Sequence, residues 1–109
     1  MLKKSSRLKK KEDFERVFRH GKPLFFGDLG CRYFFHEKAF RVGFSFGKKY
    51  IALATKRNKV KRMIMGVLLE KKKIWPQGGD MVFFCFKKAK NIKRENVVYL
   101  IEEILKKIV

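Results

Sequence analysis

The sequence predicts one α+β domain, a small α-β sandwich in which a sheet is packed against helices in the order α-β-β-α-β-α. Its 109 residues suit a single domain. A hydrophobic content of 46%, with 12 Phe, is enough to build a core. Apolar residues recur with helical spacing in three segments and with strand-like spacing between them. We expect residues 1–109 to form this one domain, with residues 1–9 as a flexible basic arm.

The first predicted helix runs from about residue 11 to residue 20. Phe14, Val17 and Phe18 fall at positions i, i+3 and i+4, which places them on one face. Gly21 follows as a residue that commonly ends helices. The glycine and proline of segment 21–23 are then expected to interrupt regular structure.

Three segments have the pattern of strands. Segment 28–36 is rich in β-prone residues, and segment 41–46 alternates with a period of two, which indicates a half-buried strand. The continuous apolar run 81–86 is typical of a central strand covered on both faces. These three segments supply the predicted sheet.

Two longer helices complete the prediction. The second helix, at about 56–72, carries an apolar stripe wide enough to face a core, made of Val60, Met63, Ile64, Val67 and Leu68. The third helix, at about 93–107, repeats the pattern with Val97, Ile101, Ile104 and Leu105. A turn at 75–79 separates the second helix from the central strand.

The charge of the chain indicates a polyanionic partner. There are 29 Lys and Arg against 10 Asp and Glu, a formal charge of +19. Segments 1–11 and 38–69 contain many of these cations and no acid. Nucleic acid is favoured over a membrane surface, because no lipidation motif is present. The longest apolar run has six residues against the ~20 of a membrane span, and the start lacks a signal-peptide pattern, so the chain is expected in the cytoplasm.

Few residues could support catalysis by the polypeptide itself. Glu12, Asp13 and Glu15 are expected to balance the neighbouring lysines and the positive helix N-terminus. His20 and His36 are the general-base candidates, and His20 suits a helix C-terminus as a cation. The two cysteines lack metal-site spacing and are expected to be buried. We therefore expect no metal, no cofactor and no catalytic residue in the protein alone.

The start of the second helix is the strongest candidate binding surface. On a helical wheel Asn58 and Arg62 point away from the apolar stripe, and Lys59 and Lys61 flank them. Arg can hold a phosphate with two hydrogen bonds, and the free N–H groups of a helix N-terminus also favour phosphate. The predicted RNA-binding residues are Lys48, Lys49, Lys56, Arg57, Asn58, Lys59, Lys61 and Arg62.

The aromatic residues are a second possible nucleic-acid feature. Phe14 and Phe18 share one face of the first helix, whose remaining surface is basic. Phenylalanines beyond what a small core needs could stack on single-stranded bases. For each individual Phe, packing in the core is the favoured interpretation.

The ordered motifs resemble a known family. Arg41-Val42-Gly43-Phe44-Ser45-Phe46-Gly47-Lys48-Lys49 followed by Lys56-Arg57-Asn58-Lys59-Val60-Lys61-Arg62 resembles the signature of the bacterial ribonuclease P protein subunit, roughly R-V-G-x-S-V-S-K-K and R-N-R-x-K-R. Segment 7–22 is similar to its R-L-x-x-x-x-D-F-x-x-V-F-x-x-G pattern, and Asp80-Met81-Val82 to its strand entry. Lys59 stands where the family has Arg, which keeps the charge and loses the bidentate fork.

The resemblance implies a fold and a division of labour. The fold would be that of the second domain of a small-subunit ribosomal protein, with a left-handed βαβ crossover. The protein would bind the catalytic RNA of ribonuclease P and the 5′ leader of precursor tRNA. The RNA, with Mg²⁺, would perform the endonucleolytic cleavage that yields the mature 5′ end. The protein is thus expected to be the non-catalytic subunit of an endoribonuclease.

The resemblance also assigns residues. Residues 57–59, 61 and 62 would contact the RNA subunit, with Lys48 and Lys49 nearby. The leader would pass Phe14 and Phe18, with Arg32 and Tyr33 of the first strand lining the same cleft. The basic arm would contribute Arg7, Lys10 and Lys11. The alternatives are a ribosomal protein, a general RNA chaperone, or a nuclease that acts without RNA.

Overall fold

A computed structural model describes residues 4–86 and 92–108 of the chain and has the predicted mixture of helices and strands. Short 3₁₀ turns lie at Lys4–Ser6 and Lys72–Ile74. The main elements in chain order are α1 (Lys11–His20), β1 (Lys22–Phe26), β2 (Leu29–Phe34), β3 (Arg41–Ser45), α2 (Ala54–Glu70), β4 (Asp80–Cys85) and α3 (Arg94–Ile108).

The four strands form one mixed sheet in the order β1-β2-β4-β3. β4 is central, antiparallel to β2 and parallel to β3, so that β3, α2 and β4 form a βαβ unit. Met81 and Phe83 face one side of the sheet and Val82 the other, and all three are 0% exposed. The predicted central strand covered on both faces is therefore confirmed.

The two faces of the sheet carry cores of different size. The main core lies between the sheet, α2 and α3 and includes Ile64, Leu68 and Leu100. The smaller core lies under α1 and consists of Leu8, Val17 and Val82, with half-buried phenylalanines packed against it. Because α1 has only ten residues, it leaves part of this second face open.

The α+β class and all three predicted helices are confirmed, and the structure adds a fourth strand, β1. Segment 21–23 was expected to break regular structure, yet β1 begins at Lys22 and pairs with β2. β1 lies at the edge of the sheet, where Pro is tolerated because an N–H is not needed on the open side. Gly27, with φ of +62°, makes the tight turn between the two strands.

Part of the expected flexible arm, residues 7 and 8, packs on the sheet, and residues 1–3 of it lie outside the described residues. Arg7 forms a parallel bridge with Val42, and the N–H of Leu8 donates to the Val42 carbonyl at 2.8 Å. The Leu8 side chain is 6% exposed and anchors the segment in the smaller core. Burial of one apolar residue thus outweighs the repulsion among its basic neighbours.

Within the ranges described, each helix is too short or too polar to cross a lipid bilayer.

Candidate nucleic-acid interface

A groove opens where the segment before α1 faces the start of α2. Its volume is about 420 Å³. No carboxylate lies among its lining residues, which are Arg7, Leu8, Lys9, Phe14, Val42, Gly43, Phe44, Asn58, Lys61 and Met65. A Cβ on Gly43 would lie 2.7 Å from the Phe14 ring, so glycine is needed for the ring to rest on β3. This surface, here termed the α2 groove, combines cations, an amide and an aromatic ring.

A row of aromatic rings covers the open part of the same sheet face. Phe84 makes edge-to-face contacts with Phe18 at 5.4 Å and with Phe25 at 5.9 Å between ring centroids. Phe25 in turn meets Phe86 at 4.9 Å and is 49% exposed. The Arg32 guanidinium lies 6.0 Å from the centre of the Phe84 ring. These four phenylalanines, the aromatic row, offer flat apolar surface beside a cation.

Three members of the aromatic row are not among the site residues predicted from the sequence. Phe18 was predicted, while Phe25, Phe84 and Phe86 were assigned to no site. The signal was present in the alternation of Phe84 and Phe86, two residues apart in a strand run, which places both on one face. What was missing was β1, because Phe25 reaches Phe84 only through the pairing of β1 with β2.

The predicted cations at the start of α2 lie at the surface. Lys56, Asn58, Lys59 and Arg62 are exposed, and Lys48 and Lys49 are exposed in the turn after β3. α2 begins without a side-chain cap and without an acidic residue in its first turn. We term the exposed cations 48, 49, 56, 59 and 62 the basic ridge. Its positive charge adds to the partial positive charge of the helix N-terminus.

Arg57 and Lys61, unlike the residues of the basic ridge, are only partly exposed. The Arg57 Nη1 donates to the carbonyls of Ile51 at 2.8 Å and Ala52 at 3.0 Å. Arg57 therefore holds the loop that leads into α2, in addition to any contact with nucleic acid. Lys61 is half-buried and lines the α2 groove.

Arg32 and Tyr33 lie on opposite faces of β2, so only one of them can belong to the predicted cleft. Arg32 lies on the α1 face, where its Nη1 donates to the Gly21 carbonyl at 3.3 Å. Tyr33 is 7% exposed in the main core, and its hydroxyl donates to the Gly78 carbonyl at 2.5 Å. Burial raises the pKa of Tyr33, and the nearby charge of Asp80 adds to the effect. The prediction that Tyr33 lines this cleft is wrong, because neighbouring residues of a strand alternate between faces.

A buried ion-pair cluster fixes α1 against the sheet. Arg41 of β3 donates from Nε and Nη2 to the two carboxylate oxygens of Asp80, each at 2.9 Å, and from Nη1 to Asp13 at 3.3 Å. These bonds to Asp80, more than the neighbouring charges, raise the pKa of Arg41. Asp13 is 7% exposed and also accepts from Arg16 at 3.2 Å. It was expected to balance lysines at the helix N-terminus, and instead it joins α1 to β3.

His36 belongs to the same cluster. The Lys38 N–H donates to its Nδ1 at 3.1 Å, so that nitrogen is an acceptor. The proton must then be on Nε2, which donates to Asp80 at 2.9 Å. This tautomer, assigned from the hydrogen bonds, leaves His36 without a free nitrogen for general-base chemistry.

The two cysteines are buried, as expected from the sequence. Cys31 and Cys85 are free thiols in the core, and burial raises the pKa of Cys85 to about 11. Burial also raises the pKa of Cys31. Among residues 4–86 and 92–108, no group of three or more His, Cys, Asp or Glu is placed to hold a metal ion.

The chain is similar to known proteins in both sequence and fold. A family model described as Ribonuclease P matches residues 2–109. The ribonuclease P protein component of Bacillus pumilus is 30% identical over 113 residues, covering 97% of this chain and 90% of that protein. The solved RNase P protein of Staphylococcus aureus has a TM-score of 0.77 and 26% identity, covering 93% of each chain. The RNase P protein from Thermotoga maritima also gives 0.77, with 27% identity, covering 94% of this chain and 97% of that one.

Proposed function

The chain belongs to the ribonuclease P protein family, and we propose that it is the subunit that binds the catalytic RNA and the 5′ leader of precursor tRNA. Membership makes it an RNA-binding component of a ribonucleoprotein that processes tRNA. The finer assignment of which surface meets which RNA rests on the three surfaces described above, the α2 groove, the aromatic row and the basic ridge.

The observation that carries the proposal is the composition of the α2 groove. Arg7, Lys9 and Lys61 supply positive charge, Asn58 supplies an amide, and Phe14 supplies a ring, all around one concave surface. Cationic grooves with aromatic side chains bind single-stranded nucleic acid by phosphate contacts and base stacking. An amide can also hydrogen-bond to a base edge or a 2′-hydroxyl.

The basic ridge suits a structured RNA. Its cations, together with Asn58, stand on the rigid first turns of α2 and on the turn just before it. Folded RNA presents a dense phosphate backbone, which is contacted by Lys, Arg and helix N-termini. We assign the basic ridge to the catalytic RNA, with Arg57 supporting it by holding the loop before α2.

The aromatic row suits the unpaired leader. Phe25 and Phe84 present ring surface on the open sheet face, and Arg32 adds a cation beside them. Base–aromatic stacking accepts any sequence, because every base has a flat face. The 5′ leader is single-stranded, so we assign it to the α2 groove and the aromatic row on the α1 face of the sheet.

Hydrolysis is assigned to the RNA and its Mg²⁺. The two buried carboxylates of the described chain, Asp13 and Asp80, are both bonded to Arg41, which is a poor setting for a divalent cation. Mg²⁺ prefers oxygen ligands such as phosphate and carboxylate, and RNA supplies the former in quantity. In this assignment the protein binds and orients the substrate and has no catalytic residue.

A cleavage assay tests the proposal. Precursor tRNAs with a one-nucleotide and an eight-nucleotide leader are cleaved by ribonuclease P RNA at low Mg²⁺, with and without the protein. We expect the protein to raise kcat/KM more for the longer leader. Phe25→Ala should reduce the ratio of kcat/KM between the two leaders about tenfold. Tyr99→Ala, an exposed aromatic on α3, is the matched control. Equal help for both leaders would indicate a general RNA chaperone, and cleavage by the protein alone would overturn the assignment of hydrolysis.

A further inference from the structure

A second cavity lies at the other end of α1 from the α2 groove. It forms where the end of α1, the start of β1, the end of β2 and the last turns of α3 meet, and its volume is about 580 Å³. This is within the size range of small-ligand sites. We term it the end cavity; its wall includes His20, Lys22, Leu24, Phe35, Ile104 and Lys107.

The end cavity is lined by three basic side chains and by no acidic one. His20, Lys22 and Lys107 are all exposed, and no carboxylate lies among the lining residues. His20 and Lys107 stand in the last turns of α1 and α3, where a cation complements the helix dipole. Lys22 opens a strand and has no such structural reason, so the cavity carries positive charge beyond what the two helices require.

The remaining wall is apolar and partly aromatic. Phe35 is 62% exposed, more than any other large hydrophobic side chain of the described residues. The Phe34 ring lies 6.2 Å from the His20 ring, and Leu24 and Ile104 extend the apolar surface. An exposed ring at the mouth of a cavity is a surface on which a planar group can stack.

We propose that the end cavity binds one nucleotide unit, with its base on Phe35 and its phosphate at Lys22 and Lys107. A purely apolar ligand would leave the lysines unused, and an inorganic anion would leave the ring unused. A nucleotide uses both, and it can be a free nucleotide or one unit of an RNA strand. The site goes beyond the proposed function, because its wall shares no residue with the surfaces assigned to the catalytic RNA and the leader.

The separation follows from the length of α1. Phe14, in the first turns of α1, lines the α2 groove, whereas His20 ends the helix at the end cavity. The six residue steps from Phe14 to His20 span roughly 9 Å along the helix axis. The two sites can therefore be observed independently in one experiment.

Amide chemical shifts of the full chain provide the test. The protein is titrated separately with AMP, with inorganic phosphate and with a 5′-phosphorylated adenosine trinucleotide. We expect AMP to shift the amides of Leu24, Phe35 and Lys107, and to bind more tightly than phosphate alone. Tighter binding of the trinucleotide than of AMP assigns the site to an RNA strand, and equal binding assigns it to a free nucleotide. AMP shifts confined to the α2 groove, the aromatic row and the basic ridge, or no shifts at all, would overturn the proposal.

A variant series at Phe35 separates stacking from bulk. Phe35→Ala is expected to weaken AMP binding at these amides by about tenfold, whereas Phe35→Tyr retains it and Phe35→Leu falls between. Because Phe35 is mostly exposed, none of these changes should disturb the core. Lys107→Gln is also expected to weaken AMP binding, because the proposal places the phosphate at Lys107. Tyr99→Ala is the aromatic control, and Lys73→Gln is the control for Lys107→Gln. Unchanged affinity in Phe35→Ala would contradict the site, whatever the outcome of the cleavage assay.

Discussion

Arg41 and Asp80 form a two-bonded ion pair across neighbouring strands, with both hydrogen bonds at 2.9 Å. Asp80 is 0% exposed, and its Oδ1 also accepts a hydrogen bond from His36 Nε2 at 2.9 Å. The same guanidinium reaches Asp13 on α1. One arginine thereby sets the position of the helix that carries Phe14 and Phe18 over the sheet.

Replacing Asp80 by Asn is expected to destabilise the fold. The change keeps the size of the side chain but leaves the Arg41 charge without its main partner, at a cost of about 3 kcal/mol in the free energy of unfolding. Urea titration measures this quantity. Glu70→Gln, which breaks the exposed pair with Arg94, is the control and should cost less than about 1 kcal/mol. Similar losses in the two variants would show that the buried Arg41–Asp80 pair contributes no more to stability than an exposed pair.

Two glycine substitutions are expected to have opposite effects. At Gly66, inside α2, an added Cβ meets nothing within 4 Å. Gly66→Ala should therefore stabilise the protein by about 0.5–1 kcal/mol through helix propensity. At Gly43 the same methyl group would lie 2.7 Å from the Phe14 ring and 2.9 Å from the Leu8 Cβ. Gly43→Ala should lower the melting temperature and weaken RNA binding, and a harmless Gly43→Ala would contradict the close packing of α1 on β3.

RNA affinity should depend steeply on salt. If six to ten phosphates are contacted, the affinity for the catalytic RNA falls about 10³- to 10⁵-fold between about 50 and 200 mM salt. Arg62→Gln should reduce the slope of log affinity against log salt by about one, measured by filter binding. Lys73→Gln, an exposed lysine outside the basic ridge, should leave the slope unchanged. A flat salt response would refute a binding mode based on phosphate contacts.

Stability should fall at high pH because of Cys85. Burial, with a smaller effect of Asp28, raises the pKa of this thiol from 9.0 to about 11. Between these values the unfolded chain loses the proton and the folded chain keeps it, so unfolding becomes more favourable as the pH rises, by roughly 2 to 3 kcal/mol in all. The measurement compares urea unfolding of the wild type and Cys85→Ala at about pH 8 and pH 11. An equal pH dependence in both proteins would show that Cys85 does not contribute.

Much of the fold could be predicted because its periodic patterns are strong. The bounds of α1 match the prediction, since Phe14, Val17 and Phe18 mark one face and Gly21 ends it. α2 begins two residues earlier than expected, at Ala54, because nothing in a stretch of small and polar residues marks its first turn. β1 was missed because its proline and the glycine before it are read as breakers, while their tolerance at a sheet edge depends on a pairing that the local sequence does not show.

The candidate site could be predicted only in part, because local sequence shows neither the register of a strand nor which groups compete for a side-chain donor. A face assignment in a strand reverses with a shift of one residue, so Arg32 and Tyr33, both predicted for the cleft, lie on opposite faces of β2. Arg57 was expected to be free for RNA, but nearby loop carbonyls compete for its donors. The role of Asp13 likewise depended on Arg41, a partner 28 positions away in the chain.

The position of β1 at an open edge has a consequence for self-association. A long, unguarded edge strand invites pairing with a second copy and growth of fibres. Here the edge begins with Lys22 and Pro23, a charge and a residue with no N–H to offer, and the net charge of +19 repels a second molecule. The protein is thereby protected against polymerisation, even though Phe25 on the same strand is 49% exposed.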